Sequence, residues 1–497
     1  MQQYILGIDI GTGSTKGVAV DLTGKVICTA QHHYPTFHPE QGFSEQDPEM
    51  IWQAFVKCIN DIAKQLSDAP AAISLSSALH TVISVNEQGK AISAMMTWAD
   101  IRSESIAIEI RNSPQAENIY RVTGTPIHPM SPLCKLIWVR ENNEALFKDT
   151  FKFVSIKAYI WYKLFGEFQV DYSIASGSGL FDIINLCWSE EVCRFAGFPV
   201  DKLSMPVNTT YTRKDLNPVT AGLLDLPADI PFVIGASDGC CANLGSFVTE
   251  PGTAALTIGT SGAVRVTGPA PIYNFGAMTF NYLLNEKTFI SGGAVNNGGN
   301  AVDWVIEKFL NILKPTTRDY QDMFGAVELV PAGSGGLLFL PYLYGERAPI
   351  WDAKSSGAFL NIRPEHSQGH FLRAALEGIC YALNDVLTSL ETASVNITQV
   401  NISGGFTVSP TWTQLVADIT GKNLFMPQPD DASALGAVYL AMDALFPDMS
   451  YPKPNQKEAL SIKPDMEKHK IYTRTFMLYK KVYENVKDCM ELFYNLK

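Results

Sequence analysis

Apolar and polar positions change period several times along this 497-residue chain, and each change predicts an element. Tyr4 to Asp9 is a short apolar, β-branched run that breaks at the small-residue segment Gly11-Thr-Gly-Ser-Thr15. A second run, Val18-Ala-Val20, is followed by the turn Asp21-Leu-Thr-Gly24 and a third run from Val26 to Ala30. Runs this short, bounded by glycine and hydroxyl residues, predict an antiparallel meander. The period then becomes helical. Asp47 caps, Pro48 occupies the first turn, and Ile51, Ala54, Phe55, Cys58, Ile59 and Ile62 share one face. A further strand is expected at Ile73-Ser-Leu-Ser.

The opening pattern returns later. Ala254-Ala-Leu-Thr-Ile258 runs into Gly259-Thr-Ser-Gly262 and then Ala263-Val-Arg-Val266, so GIDIGTGSTKGVAV is echoed by LTIGTSGAVRV. Two halves of related design, each presenting a glycine- and hydroxyl-rich hairpin tip, would give this echo, and so would two unrelated short hairpins. Between them, Pro231-Phe-Val-Ile-Gly-Ala-Ser-Asp238-Gly239 is an apolar strand that ends in small residues and one acid. Asn401-Ile-Ser-Gly-Gly405-Phe is another strand, ending in paired glycines and leading into a helix through Pro410, Trp412, Leu415, Val416 and Ile419. From about Glu467 to Lys497 aromatic and charged residues alternate at helical spacing, which predicts a helix covering a domain face.

A chain of this length exceeds one ordinary core, so two domains with additions are expected. Hydrophobic residues at 46% against 18% charged supply both cores and exclude extensive disorder. The 38 basic and 50 acidic residues give a net charge of -12 with no dense Lys/Arg run, which argues against a nucleic-acid partner. Nine cysteines, an odd number without metal-type spacing, read as reduced thiols, with Cys240 and Cys241 as small buried hydrophobes. Without a basic leader or a long apolar run, no membrane partner and a cytoplasmic location are expected.

Two acids and two tips bring in chemistry. The Gly-Lys pairs at 24, 89 and 421 are followed by Val, Ala and Asn, so no P-loop is present, and glycines 11, 13 and 17 miss the dinucleotide-binding spacing. A phosphate cradle would come instead from the tips Thr12 to Thr15 and Gly259 to Ser261. Their glycines admit backbone N–H groups to phosphate oxygens while hydroxyls donate further bonds; as plain turns the same residues serve equally well. Asp9, inside an apolar strand, would cost on the order of several kcal/mol if unpaired, a cost that Mg²⁺ would remove. Asp238, at a strand end, is placed to accept a hydroxyl proton, or to act as the acid of a Ser-Asp-Gly turn.

Longer motifs narrow the reading. Met130-Ser-Pro-Leu-Cys-Lys135-Leu-Ile-Trp138-Val-Arg-Glu-Asn142 fits, at every constrained position, the first signature of the FGGY carbohydrate kinases, of the actin/hexokinase/Hsp70 ATPase superfamily. The second signature is approached by Gly357-Ala-Phe-Leu-Asn361-Ile and His370-Phe-Leu-Arg-Ala374-Ala-Leu-Glu377, with Asn361 where the pattern asks for glycine, which puts the local turn in doubt. The resemblance runs from about residue 4 to about 445. TWADIRS (97–103), FVIGASDG (232–239), TIGTSGA (257–263) and PYLYGERAPIWD (341–352) look most like the gluconate-phosphorylating branch of the family.

The resemblance implies an α/β fold of two duplicated RNase H-like domains around a central cleft, divided as 1–245 and 246–450, with a helical extension at 451–497. It implies ATP and Mg²⁺ as cofactors, and a sugar or sugar acid such as D-gluconate as the small-molecule partner. Asp238 matches the catalytic base. Thr12, Gly13 and Ser14 match the first phosphate loop, with Lys16 as a nearby cation, while Gly259 and Thr260 match the second. Asn296 to Gly299 match a segment near the nucleotide, Gly405 and Ser409 an adenosine contact, and Asp9 the acid associated with Mg²⁺. His80 and Trp98 match sugar-contacting positions, although His80 could be a strand-end histidine satisfied by backbone and Trp98 could belong to the core. A sugar acid also needs a cation for its carboxylate, for which Arg102, Lys135, Lys157 and His128 are the candidates. A xylulose-type ketose kinase and an actin-like ATP-binding sensor are the alternatives, and the resemblance suggests a homodimer.

Overall fold

The computed structural model describes residues 3–66, 68–393, 396–426, 431–449, 451 and 460–496. The meander forms as the pattern predicts. Strands Tyr4–Ile10, Ser14–Asp21 and Val26–His33 pair antiparallel in sequence order. Ala72–Ser77 joins the free side of the first strand in parallel, and Phe232–Ser237 joins Ala72–Ser77 in parallel, with the short edge strand Thr212–Arg213 beyond it. The helix Pro48–Gln65 covers the meander. The Asp47 side chain accepts from the Glu49 N–H, Pro48 opens the first turn, and the expected apolar face is buried in full.

The second sheet repeats this plan. Thr253–Ile258, Gly262–Gly268 and Thr288–Val295 form the antiparallel meander, and Gln399–Ser403 and Asn423–Met426 add in parallel on the free side of the first of them. Phe280–Asn285 and Leu460–Ile462 extend the two edges. One strand order built twice, with a meander feeding a parallel pair, makes the sequence echo a duplication of fold: two α/β bodies of the RNase H-like type. Met466–Tyr494, the helix anticipated near the end of the chain, buries Tyr472, Phe476, Tyr479, Tyr483 and Met490 against the second body.

One element departs from a simple division of the chain. The helix Ala432–Leu445, apolar but for Ser433 and the exposed Asp443, leaves the second body and packs on Tyr4–Ile10, Ala72–Ser77 and Phe232–Ser237 of the first sheet. There it crosses the helix Asp238–Gly245. A Cβ at Gly245 would stand 2.0 Å from the Ala432 carbonyl oxygen, and one at Gly436 would stand 2.0 Å from that of Cys241, so the crossing is backbone against backbone. The dividing point expected at 450 lies outside the described residues.

The turn questioned at Asn361 is made. Asn361 adopts φ 62°, the region that asparagine tolerates best after glycine, and its Nδ2 donates to the Gly336 carbonyl at 2.9 Å. Cys240 and Cys241 are free and buried. Among the described residues, no helix is long and apolar enough to cross a membrane.

Candidate functional site

The strand Phe232–Ser237 hands over directly to a helix. Ser237 is the cap, its Oγ accepting from the Cys240 N–H at 3.3 Å, so Asp238 is the first helical residue. Gly235 permits this approach. It sits at φ 69°, and a Cβ there would lie 1.8 Å from the Leu75 carbonyl oxygen. Beneath it, Lys157 donates to the Ala236 carbonyl at 2.7 Å and pairs with Asp171 at 2.8 Å, both side chains being buried. The Asp238 carboxylate accepts from the Gly239 N–H at 2.7 Å. Burial pushes its pKa up, while that N–H and the Arg265 guanidinium pull it back.

The first hairpin tip is braced from both sides. Gly11 N–H bonds to the Ser14 carbonyl at 3.0 Å, and Tyr34 donates its hydroxyl to the Gly11 carbonyl at 2.5 Å. Gln46 Nε2 donates to the Thr12 carbonyl at 2.6 Å, and Trp98 Nε1 to Thr12 Oγ1 at 3.0 Å. Asp9 lies on the strand below, taking a hydrogen bond from Ser76 Oγ at 2.7 Å. Burial, and then the charge of Asp238, push its pKa up to about 7. Lys16 pairs with Asp431, immediately before the crossing helix Ala432–Leu445.

The second tip is locked to the start of the helix Gly299–Phe309. Gly299 N–H donates to the Gly259 carbonyl at 2.7 Å, and Asn300 N–H to that of Thr260 at 3.2 Å. At Gly13, Gly259 and Gly405 a Cβ would meet no heavy atom within 4 Å, so these backbones face open space as a cradle for a ligand requires.

Two cavities meet at this second tip. One, of about 420 Å³, is lined by His80, Trp98, Asp238, Arg265, Tyr282 and Arg347 together with Gly259 and Thr260. The other, of about 410 Å³, has Gly259 and Thr260 on one side and Gly299, Gly405, Ser409 and the rings of Tyr320, Phe324 and Trp412 around it. The backbone of Gly259 and Thr260 is therefore their shared wall. A phosphate chain held there can reach from the aromatic cavity to the acid in the polar one.

His80 and Trp98 line the polar cavity. His80 takes φ 62°, and Lys135 fixes its turn by donating to the His80 carbonyl at 2.7 Å and the Thr97 carbonyl at 2.6 Å. The His80 ring contacts the Tyr282 hydroxyl at 3.2 Å. Burial, with Lys135 adding to it, pushes its pKa down to about 3, so the ring is neutral at pH 7.

Other expected positions fall elsewhere. Arg102 does not face the cavity. Its guanidinium forks onto Asp100 at 2.9 and 2.7 Å, meets Glu45 at 2.5 Å and lies 3.7 Å from the centre of the Phe43 ring. Asn296 lines neither cavity; its Oδ1 accepts from Arg347 Nε at 2.7 Å and its N–H donates to Glu346 at 2.5 Å. Lys135, Lys157 and His128 do not line the polar cavity either. The cations that do, Arg265 and Arg347, were missed. Arg265 carried one available sign, a charge within an otherwise apolar strand, the same sign that singled out Asp9.

Comparison with known proteins identifies the family. The N-terminal domain of the FGGY family of carbohydrate kinases matches residues 4–245, and its C-terminal domain matches residues 254–445. A gluconokinase of Bacillus subtilis (strain 168) is 39% identical over 451 residues, 89% of this chain and 88% of its own. The xylulose kinase of the same organism is 27% identical over 494 residues, 98% of each chain. Among solved structures, a ligand-bound xylulose kinase from Lactobacillus acidophilus superposes with a TM-score of 0.94 at 31% identity over 99% of this chain and 100% of its own. A gluconate kinase from the same organism gives a TM-score of 0.92 at 31% identity over 98% of each.

Proposed function

The chain belongs to the FGGY family of carbohydrate kinases, ATP-dependent enzymes, and from that premise we propose that it phosphorylates the terminal hydroxyl of a sugar acid, D-gluconate, to give 6-phosphogluconate. One observation carries the reading: Asp238 and the aromatic cavity stand on opposite sides of the Gly259–Thr260 wall. Adenosine would lie in the aromatic cavity by Gly405 and Ser409, with its phosphates running between the two tips. Asp238 takes the proton of the hydroxyl as that oxygen bonds to the γ-phosphorus and the bond to ADP breaks. His80, Trp98 and Tyr282 orient the substrate chain.

Asp9 fits an Mg²⁺ role. It is a half-buried acid beside a second acid, with the Ser76 hydroxyl on one oxygen, and a cation would relieve both desolvation and repulsion. Bound with the nucleotide, that ion would offset the phosphate charge.

Two guanidiniums in the polar cavity favour an anionic substrate over a neutral ketose. Steady-state assays with ATP and Mg²⁺ across gluconate, xylulose, ribulose, fuculose and glycerol test this. Gluconate is expected to give the highest kcat/KM, and a preference for any neutral sugar defeats the sugar-acid assignment. ATP turnover indifferent to every one of them would mark a sensor instead.

A further inference from the structure

The two arginines of the polar cavity are not equivalent. Arg347 has fixed partners: Nε donates to Asn296 Oδ1 at 2.7 Å, Nη2 to the Val295 carbonyl at 3.2 Å, and the group lies 5.0 Å from the centre of the Trp98 ring. Arg265 has none of these restraints. It rises from the middle of the strand Gly262–Gly268, and no hydrogen bond joins its guanidinium to any described residue. Arg265 pairs in register with Gly292, where the strands run so close that a Cβ would lie 2.2 Å from the Val264 carbonyl oxygen and 3.1 Å from Arg265 Cα. A Cβ at Gly239, next to the base, would stand 3.5 Å from Arg265 Nε and 3.7 Å from Nη2, so glycine keeps that side of the fork open.

Arg265 is half-buried and has no bonded carboxylate; desolvation acts against its charge, and of the nearby groups the Asp238 carboxylate does most to favour it. Asp238, the acid that shares its cavity, must stay free to accept a proton. A carboxylate arriving with the substrate would satisfy the planar fork through two parallel hydrogen bonds, which a neutral sugar cannot do. We propose that Arg265 receives the substrate carboxylate and thereby sets the preference for sugar acids over neutral polyols. This rests on the sugar-acid reading above and assigns it to one residue.

The test compares Arg265→Gln and Arg265→Lys with the wild type on D-gluconate and on D-glucitol, which keeps the carbon chain and replaces the carboxylate with a hydroxymethyl group. Glucitol is measured as a substrate or as a competing inhibitor, and ADP binding by calorimetry reports the fold. Arg265→Gln should lower the preference for gluconate over glucitol by about 30-fold or more, chiefly through KM, with partial recovery in Arg265→Lys. If Arg265→Gln no longer binds ADP, the same ratio is read from Arg265→Lys. A parallel fall for both ligands would place Arg265 in support of the base, and an unchanged preference would leave the carboxylate to Arg347; either result overturns the inference. A wild-type enzyme inert towards gluconate yet active on a neutral sugar overturns the sugar-acid reading as well, so the two failures are distinguishable.

Discussion

Replacing Lys157 with methionine tests whether a buried charge pair holds the strand end beneath Asp238. Lys157 and Asp171 are 1% and 0% exposed and 2.8 Å apart, and Lys157 also bonds the carbonyl of Ala236, two residues before the acid. Methionine preserves much of the packing, so the loss is electrostatic: one carboxylate without its cation and one carbonyl without its donor. Removing one member of a buried pair costs about 3–5 kcal/mol. At about 2–4 °C per kcal/mol for a body of 150–250 residues, the melting temperature should fall by roughly 6–20 °C. Protonation limits the loss. Burial already pushes the Asp171 pKa up against the pull of Lys157, and without the lysine it rises further. A carboxyl raised above its unfolded value stabilises the fold at low pH and loses that contribution as pH rises through the folded value, so the deficit should grow as pH rises above the unfolded carboxylate value of about 3.9. Lys157→Met/Asp171→Leu removes both charges and should regain roughly half of the loss. Thermal melts of the three proteins across pH, with hydrogen exchange read at the strand Phe232–Ser237, give the comparison. A single variant within about 1 kcal/mol of wild type, or a double variant melting below the single one, would refute the reasoning.

Asp238→Asn should lower turnover by about 10²–10⁴-fold while leaving ADP affinity by calorimetry unchanged. Turnover within a few-fold of wild type would remove the acid from the role of base. Asp9 gives a pH signature: its folded pKa of about 7 lies above the usual carboxylate value of about 3.9, so its contribution to stability is present below pH about 4 and lost as pH rises through about 7. The melting temperature of the ligand-free protein should decline across that window, less steeply in Asp9→Asn, and an identical slope in the variant would contradict the assignment. The gain from Mg²⁺ and ADP should be largest above pH about 7, where Asp9 is ionised.

What the sequence disclosed follows a physical boundary. The helix Pro48–Gln65 was legible because its cap, its proline and its buried face are all local. The place of Asp238 at a strand end was legible because a strand of apolar and small residues leaves one acid there. Arg102 misled because closeness to Trp98 in sequence said nothing of Glu45 and Phe43, which a separate segment brings to its guanidinium. Asn296 misled for a similar reason: Glu346 and Arg347, some fifty residues on, take up its N–H and its Oδ1. The helix Ala432–Leu445 showed its apolar character plainly, but a largely apolar helix does not say which sheet covers it.

The contact between the helices Asp238–Gly245 and Ala432–Leu445 has a mechanical consequence. With glycine at Gly245 and Gly436, no side chain stands between the two main chains at their closest point, so the position of one rod is set directly against the other. Asp238 begins one rod, and Asp431, the partner of Lys16, directly precedes the other. Any shift of one rod is therefore carried to those ends. A side chain at either glycine would press a Cβ to within 2.0 Å of a main-chain oxygen and force the rods apart, moving Asp238 relative to Asp431.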